Sequence, residues 1–203
     1  MPTVEQFANT STAACSTAPV KPLSNQIFDI LLQQTAVGQL TSCESFVHLG
    51  SGSTIPFLQA AACEALRKAV QQKGQTPTLN HAYRAVPQQY VLFHWFKHGK
   101  CSITLAARPG TSPHEKAIAI DIADHGKWKS VLAANHWLWR GPSDPAHFTY
   151  IGGGVTTDIG VESVRAFQKL WNTHNPNDRI HEDGIYGEHE TGPRLRLSPI
   201  EGF

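Results

Sequence analysis

The 203-residue sequence lacks the features that mark a membrane protein or a classically exported one. No apolar run approaches the roughly 20 residues that are needed to span a bilayer. The first 23 residues contain neither a basic stretch nor an apolar segment, so they do not form a Sec signal peptide. They are rich in Ser, Thr, Ala and Pro, and we expect residues 1–23 to be a flexible leader.

Charge is also scarce. Only 16% of the residues are charged, and the formal net charge is +1. This balance gives no electrostatic reason to expect nucleic acid or an anionic membrane as a partner. With 40% hydrophobic residues, the chain is long enough for one domain with a true core and a small appendage, and we expect a monomer.

The four cysteines, Cys15, Cys43, Cys63 and Cys101, include no CxxC pair, which argues against a structural zinc built from them. In an exported protein their even number permits two disulfides, in three connectivities. The alternative is that they are free, partly buried thiols.

Hydrophobic periodicity predicts both helices and short strands. Helices are expected near residues 24–32, 56–72, 86–97, 128–139 and 161–171, and strands near 78–84, 102–107, 117–122 and 147–151. This pattern favours an α+β domain with a small, mostly antiparallel sheet flanked by helices. The glycines at 152–154 suggest a linker, so we expect one domain over residues 24–152 and a second module over 153–203.

Three residues are candidate metal ligands. His114 follows the Pro109-Gly110 turn, and Asp121 closes a short apolar run that begins after it. Histidine and aspartate are good zinc ligands, and His147, at the start of the last predicted strand, is a candidate third ligand. Three protein ligands leave one tetrahedral position open for water, as in catalytic zinc sites. We therefore expect one Zn²⁺, held by His114, Asp121 and His147.

Two further side chains fit such a site. Asp144 lies three residues before His147 and could accept a proton from the water. Arg84, at the end of a predicted strand, could stabilise a developing oxyanion. Ordinary roles stay open: His114 could be a surface histidine, Asp121 a turn cap, and Arg84 a partner in a salt bridge.

Three motifs resemble those of the D-alanyl-D-alanine carboxypeptidase family of zinc peptidases, which also includes several phage endolysins. The stretch from Ser112 to Asp121 resembles SxHxxGxAxD, and Asp144–Phe148 resembles [ED]PxHF. Residues 82–89 resemble GYRSxxxQ. The resemblance implies Zn²⁺ as cofactor, peptidoglycan or a muropeptide as substrate, and catalytic roles for Asp144 and Arg84. It also implies substrate-binding roles for Ser112, Gln89 and Tyr83.

The chain departs from these motifs at three positions. Ala117 replaces the usual glycine, Ala85 replaces a common serine, and Asp144 stands where better-known members have glutamate. Aspartate is shorter by one methylene, so the backbone must bring it closer to the water. Some endolysin-like members use aspartate here.

Residues 161–195 resemble the small peptidoglycan-binding domain of cell-wall hydrolases. Val164–Gln168 corresponds to its VxxFQ helix and Asp183–Gly187 to its DGxYG turn. Thr191 corresponds to the threonine that starts the next helix, but Gly192-Pro193 makes a full last helix unexpected. We expect a short helical module, packed on the catalytic domain.

The expected function is hydrolysis of peptide bonds in peptidoglycan stem peptides, foremost as a D-Ala-D-Ala carboxypeptidase. Such a substrate places the protein in the periplasm or outside the cell. One alternative is an endolysin-like endopeptidase, which the same catalytic residues would support. The other is a non-catalytic wall-binding homologue, which Ala85, Ala117 and the short final module suggest.

Overall fold

The computed structural model describes residues 1–10, 15–34, 40–156 and 158–203. Within these residues the fold is α+β, as the sequence predicts. The helices are α1 (Val4–Asn9), α2 (Lys21–Gln33), α3 (Ala60–Lys73), α4 (Val86–Lys97), α5 (Lys129–Ala134), α6 (Ile159–His174) and α7 (Thr191–Leu197). The strands are β1 (Leu40–Ser42), β2 (His48–Leu49), β3 (Phe57–Gln59), β4 (Thr78–His81), β5 (Ala119–Ile122), β6 (Trp137–Trp139) and β7 (His147–Tyr150).

The main sheet has five strands in the order β2-β4-β5-β7-β6 and is antiparallel except between β2 and β4. Strands β1 and β3 form a separate antiparallel pair. Alternate residues of a strand point to opposite faces. Ile120 and Ile122 of β5 therefore pack with Leu66 of α3 and Leu132 of α5, in one buried cluster. Asp121, between them, points to the other face.

A second buried cluster joins the two ends of the chain. It contains residues of α1, α2, α4, α6 and α7, among them Val4, Leu23, Val91, Phe167 and Leu195. The predicted helix near 161–171 is thus present as α6, and its apolar side packs against α2. The expected boundary near residue 153 does not separate two buried cores, because this cluster includes residues on both sides of it.

The structure differs from the expected flexible leader at α1. Thr3 forms a capping box with Gln6, in which each side chain accepts a hydrogen bond from the other residue's backbone N–H. Val4, Phe7 and Ala8 are buried. A six-residue helix is too short to be stable alone, so it forms here because Trp95 of α4 covers it and donates a hydrogen bond to the Ala8 carbonyl. Residues 11–14 of the expected leader lie outside the described residues.

Two predicted elements are wrong. Residues 102–107 pair with no described strand and run as irregular chain. Residues 128–139 do not form one helix, because α5 ends at Ala134 and residues 137–139 form the edge strand β6. His136, between them, has a left-handed backbone with φ 63°, a conformation that cannot continue a right-handed helix. A short apolar run alone does not distinguish a helix from a strand.

Several predicted ends also shift. Helix α2 begins at Lys21 and not near Ser24, and residues 57–59 of the predicted 56–72 helix form β3. Gly74, with φ 65°, ends α3. Helix α7 forms despite Gly192-Pro193, because Pro193 lies in its first turn, where a missing N–H is tolerated.

The cysteines divide into one bonded and one unbonded pair. Cys15 and Cys101 form a disulfide, whereas Cys43 and Cys63 are free and buried. Among the helices of the described residues, none is long and apolar enough to cross a membrane.

The Asp183–Gly187 turn depends on a glycine that allows close backbone approach, and this gives a first prediction. Gly184 has φ +74°, and a Cβ there would lie 2.7 Å from the Val161 carbonyl oxygen. Gly184→Ala should therefore lower the free energy of unfolding by roughly 2–4 kcal/mol, through backbone strain and overpacking. Urea denaturation of wild type and variant measures the difference.

Gly187→Ala is the matched control. A Cβ at Gly187 would meet no atom within 4 Å, and the substitution should change stability by less than about 0.5 kcal/mol. Equal losses in the two variants would contradict the assigned role of Gly184.

Candidate metal centre

Three separate elements bring the predicted ligands together. Asp121 of β5 and His147 of β7 are direct partners in the antiparallel register, which places their side chains side by side on one face. His114 enters from the loop before β5, and its backbone carbonyl accepts a hydrogen bond from the Arg84 amide. The sheet register therefore fixes two ligands, and a backbone contact fixes the loop that carries the third.

The three donor atoms converge closely. His114 Nε2 and His147 Nδ1 are 3.1 Å apart, and Asp121 Oδ1 lies 3.1 Å from His147 Nδ1 and 3.3 Å from His114 Nε2. In a tetrahedral zinc site with bonds of about 2.0–2.1 Å, neighbouring ligand atoms are roughly 3.3 Å apart. The spacing fits one small divalent ion.

The two histidine ring nitrogens that do not converge have hydrogen-bond partners of their own, which leaves the converging nitrogens available to a metal ion. His114 Nδ1 lies 2.7 Å from the Ala82 carbonyl oxygen, which accepts its proton and leaves Nε2 with a lone pair. His147 Nε2 lies 3.0 Å from Thr149 Oγ1, and His147 Nδ1 faces Asp121. Such partners orient metal-binding histidines and fix their tautomers. Burial lowers the pKa of His114 to about 4, so its imidazole is neutral, as a metal ligand must be.

The second oxygen of Asp121 faces a cation. Arg84 donates from Nη2 to Asp121 Oδ2 at 3.3 Å, and His81 Nδ1 lies 3.4 Å from the same oxygen. Burial raises the pKa of Asp121, but the surrounding histidines outweigh it and hold this pKa well below its ordinary value. The carboxylate stays ionised and bridges the ligand group to Arg84.

Gln89 positions Arg84. Its Oε1 accepts a hydrogen bond of 3.0 Å from Arg84 Nη1, and its Nε2 donates to the Ala107 carbonyl at 2.7 Å. Burial lowers the pKa of Arg84, and the Asp121 charge opposes this shift. Arg84 is only 7% exposed and lines the cleft beside the predicted ligands, and its Nε has no hydrogen-bond partner among the described residues.

A cleft of about 220 Å³ brings the predicted catalytic and metal-binding residues together. Its walls contain Arg84, Gln89, Ser112, His114, Asp121, Asp144 and His147. Asp144 is half-buried, and burial together with the Asp121 charge raises its pKa. A carboxylate with a raised pKa at the mouth of such a cleft is a suitable proton acceptor.

Two predicted substrate-binding residues have other contacts. Tyr83 does not line the cleft: its ring is 1% exposed, packs on Phe28, and its hydroxyl hydrogen-bonds the Ser163 hydroxyl at 2.6 Å. This placement gives it a packing role between β4 and α6. Ser112 does line the cleft, and its hydroxyl accepts a hydrogen bond from the His114 amide at 3.3 Å.

Glu115 is a supporting carboxylate that was not predicted from the sequence. Glu115 is fully buried and accepts hydrogen bonds from the backbone N–H groups of Gly110 and Ser112, which fixes the loop that carries His114. Burial raises the pKa of Glu115 to about 7, and these backbone bonds oppose the shift. An acidic residue next to a predicted ligand was the available signal.

Ala117 shows why the related motif has glycine. Its backbone is left-handed, with φ 54°, which costs a residue with a Cβ roughly 1 kcal/mol relative to glycine. Its carbonyl accepts a hydrogen bond of 2.9 Å from the Gln59 amide. The predicted strand 117–122 accordingly starts two residues late, at Ala119.

The comparison with protein families gives a match to part of the chain. The VanY family model, described as D-alanyl-D-alanine carboxypeptidase, matches residues 58–140, which include Arg84, His114 and Asp121. Asp144 and His147 lie beyond the matched range. No curated protein and no solved structure matches the chain. Residues 58–140 are therefore similar to the D-alanyl-D-alanine carboxypeptidase family.

Proposed function

We propose that this protein is a zinc-dependent peptidase that hydrolyses peptidoglycan stem peptides, foremost as a D-Ala-D-Ala carboxypeptidase. The observation that carries the proposal is the convergence of His114, Asp121 and His147 on one point, in a cleft that also contains Arg84 and Asp144. The family match supports the substrate class. Cell-wall peptide as substrate places the protein in the periplasm or outside the cell.

The ligand set supports a divalent ion of borderline softness, and two imidazoles with one carboxylate suit zinc. When bound, zinc acts as a Lewis acid that polarises a carbonyl and lowers the pKa of water. Without a metal ion, Asp121 Oδ1, His114 Nε2 and His147 Nδ1 would lie close together in a buried space. Only bound protons would then offset the repulsion between the lone pairs of these atoms.

The residues around the ligands have separable roles. Asp144 accepts the proton of the attacking water and returns it to the leaving amine. Arg84, held by Asp121 and Gln89, stabilises the negative charge that develops on the carbonyl oxygen of the scissile bond. Because Arg84 is already oriented before substrate binds, little reorganisation is needed during the reaction.

The wall-binding alternative is less well supported than catalysis. A protein that kept only the fold would not need a half-buried Asp144, a buried Arg84 and the ligand group in one cleft. The substitutions that suggest lost activity have local explanations. Ala85 is the residue before α4, where Gln88 accepts its amide proton, and Ala117 adopts the required backbone conformation.

Metal binding gives a second prediction. The wild-type chain should bind one zinc ion, and His147→Ala should weaken zinc binding by at least about 100-fold, because a primary ligand is removed. Competition with a chromophoric chelator measures the affinity. His189→Ala, which removes an exposed histidine, is the control and should bind zinc like wild type. Unchanged affinity of His147→Ala would contradict the ligand assignment.

The assigned base gives a third prediction. Asp144→Asn should keep one zinc per chain and lower kcat by about 10²–10⁴-fold, because the amide cannot accept the proton. Release of D-alanine from a pentapeptide ending in D-Ala-D-Ala measures turnover, and elemental analysis measures zinc. Mass spectrometry of digested sacculi shows which bond is cut, and products from an internal bond alone would favour the endopeptidase.

Asp124→Asn is the matched control, since Asp124 is exposed and lies outside the cleft. It should have wild-type turnover. If Asp144→Asn also turned over at the wild-type rate, Asp144 would not be the base.

A further inference from the structure

The segment that the sequence wrongly predicts to be a strand has an unusual backbone. Residues 103–108, here the cleft segment, contain no helix, strand, turn or bend. Within the described part of the protein, the amides of Thr104, Leu105, Ala106 and Ala107 donate no hydrogen bond to another residue. The segment has strand-like residues, but no described strand pairs with it.

The cleft segment lies along the proposed active site. Ile103, Leu105, Ala106 and Ala107 line the same cleft as Arg84 and the metal ligands. Its end is fixed to the catalytic residues, because Gln89 bonds both the Ala107 carbonyl and Arg84. A peptide placed with its scissile carbonyl beside Arg84 would therefore lie next to these backbone groups.

Strand geometry indicates which backbone groups are available. In an extended chain, the N–H and C=O of one residue point to one side and those of the next residue to the other. The Ala107 carbonyl points towards Gln89. In a segment that pairs as a strand, the backbone groups of Ala106, and of Thr104 two residues earlier, would then be on the opposite edge.

We infer that the cleft segment binds the stem peptide as an added β-strand, with main-chain hydrogen bonds to Ala106 and Thr104. The inference rests on the proposed function, since it names how that substrate is held. Main-chain pairing gives affinity without requiring particular side chains, which suits a peptide with D-residues. Six extended residues span roughly 20 Å, which is longer than the part of a stem peptide near the scissile bond.

Binding to the zinc-loaded Asp144→Asn chain tests the inference without turnover. The ligand is a pentapeptide ending in D-Ala-D-Ala, and calorimetry gives its Kd. Adding Ala106→Pro removes the amide hydrogen and should weaken binding about fivefold to tenfold. Ala106→Ser is the matched control, because it keeps the amide hydrogen and adds only one oxygen atom to the side chain. The proline variant should bind at least fivefold more weakly than the serine variant.

A second ligand covers the case in which Ala106→Pro does not fold, as judged by its thermal midpoint. In this analogue an ester replaces the peptide bond that precedes the scissile bond. The ligand therefore loses one backbone N–H donor. Weaker binding of the ester supports main-chain pairing. Equal affinity of ester and amide, equal affinity of the two Ala106 variants, or no peptide binding at all would overturn the inference. Peptide binding with the expected pattern but no hydrolysis by wild type would refute the proposed function alone.

The free cysteines support a second, independent inference. Cys43, which follows β1, and Cys63, near the start of α3, are 0% and 1% exposed, and their sulfur atoms are 2.7 Å apart. This separation is roughly 0.7 Å longer than a disulfide bond of about 2.05 Å. The Cys43 amide also donates to the Pro56 carbonyl at 2.8 Å, which fixes the backbone on one side of the pair.

We propose that Cys43 and Cys63 form a second disulfide in an oxidising environment. The two thiols lose two protons and two electrons and form one S–S bond. A small-molecule disulfide such as oxidised glutathione accepts these two protons and two electrons and is reduced to two thiols. The bond would tie β1 to α3 and close the loop that contains β2 and β3.

The test uses a Cys15→Ser/Cys101→Ser chain, in which these are the only cysteines. After refolding in a glutathione redox mixture, the protein is alkylated in denaturant and mapped by mass spectrometry. A peptide linked through Cys43 and Cys63 is expected, and the thermal midpoint should exceed that of the reduced sample by roughly 5–10 °C. Adding Cys43→Ser should abolish this difference. Alkylation of both cysteines after oxidation would overturn the proposal.

Discussion

One buried carboxylate connects the parts of the candidate metal centre. Asp121 Oδ1 lies among the two ligand nitrogens, and Asp121 Oδ2 faces Arg84 and His81. A buried cation without its counter-charge is strongly destabilising, so Arg84 depends on Asp121. The β5–β7 register, which places Asp121 opposite His147, is therefore a requirement of stability as well as of chemistry.

The loop before β5 is held from both sides by buried polar side chains. Glu115 binds the backbone at Gly110 and Ser112, while the Gln59 side chain binds the Lys116 carbonyl and the backbone of Thr156. A buried polar group without a partner costs more than a hydrogen bond contributes, so these contacts restrict the loop to one conformation. His114 is thereby positioned by backbone hydrogen bonds and not by packing alone.

Short motifs and strong hydrophobic periodicity predicted those features of the structure that depend on residues close together in the sequence. The bounds of α4, the α+β class and the three residues that converge, His114, Asp121 and His147, were all predicted from the sequence. The other features depend on contacts between residues that are distant in the sequence. The 102–107 segment has strand-like residues but no neighbouring strand, and 137–139 became a strand because β7 offered an edge. Helix α1 was missed because its apolar stripe is only three residues and is meaningful only beside Trp95.

The joined ends of the chain have a consequence for local unfolding. The Ile200 amide donates to the Pro2 carbonyl at 3.1 Å, and the Val4 amide donates to the Ser198 carbonyl at 2.9 Å. Helices that share one buried cluster and these cross-links open together and not one by one. Amide hydrogens of α1 and α7 should then exchange with solvent at closely similar rates, although nearly 190 residues of sequence separate the starts of the two helices (191 − 4 = 187).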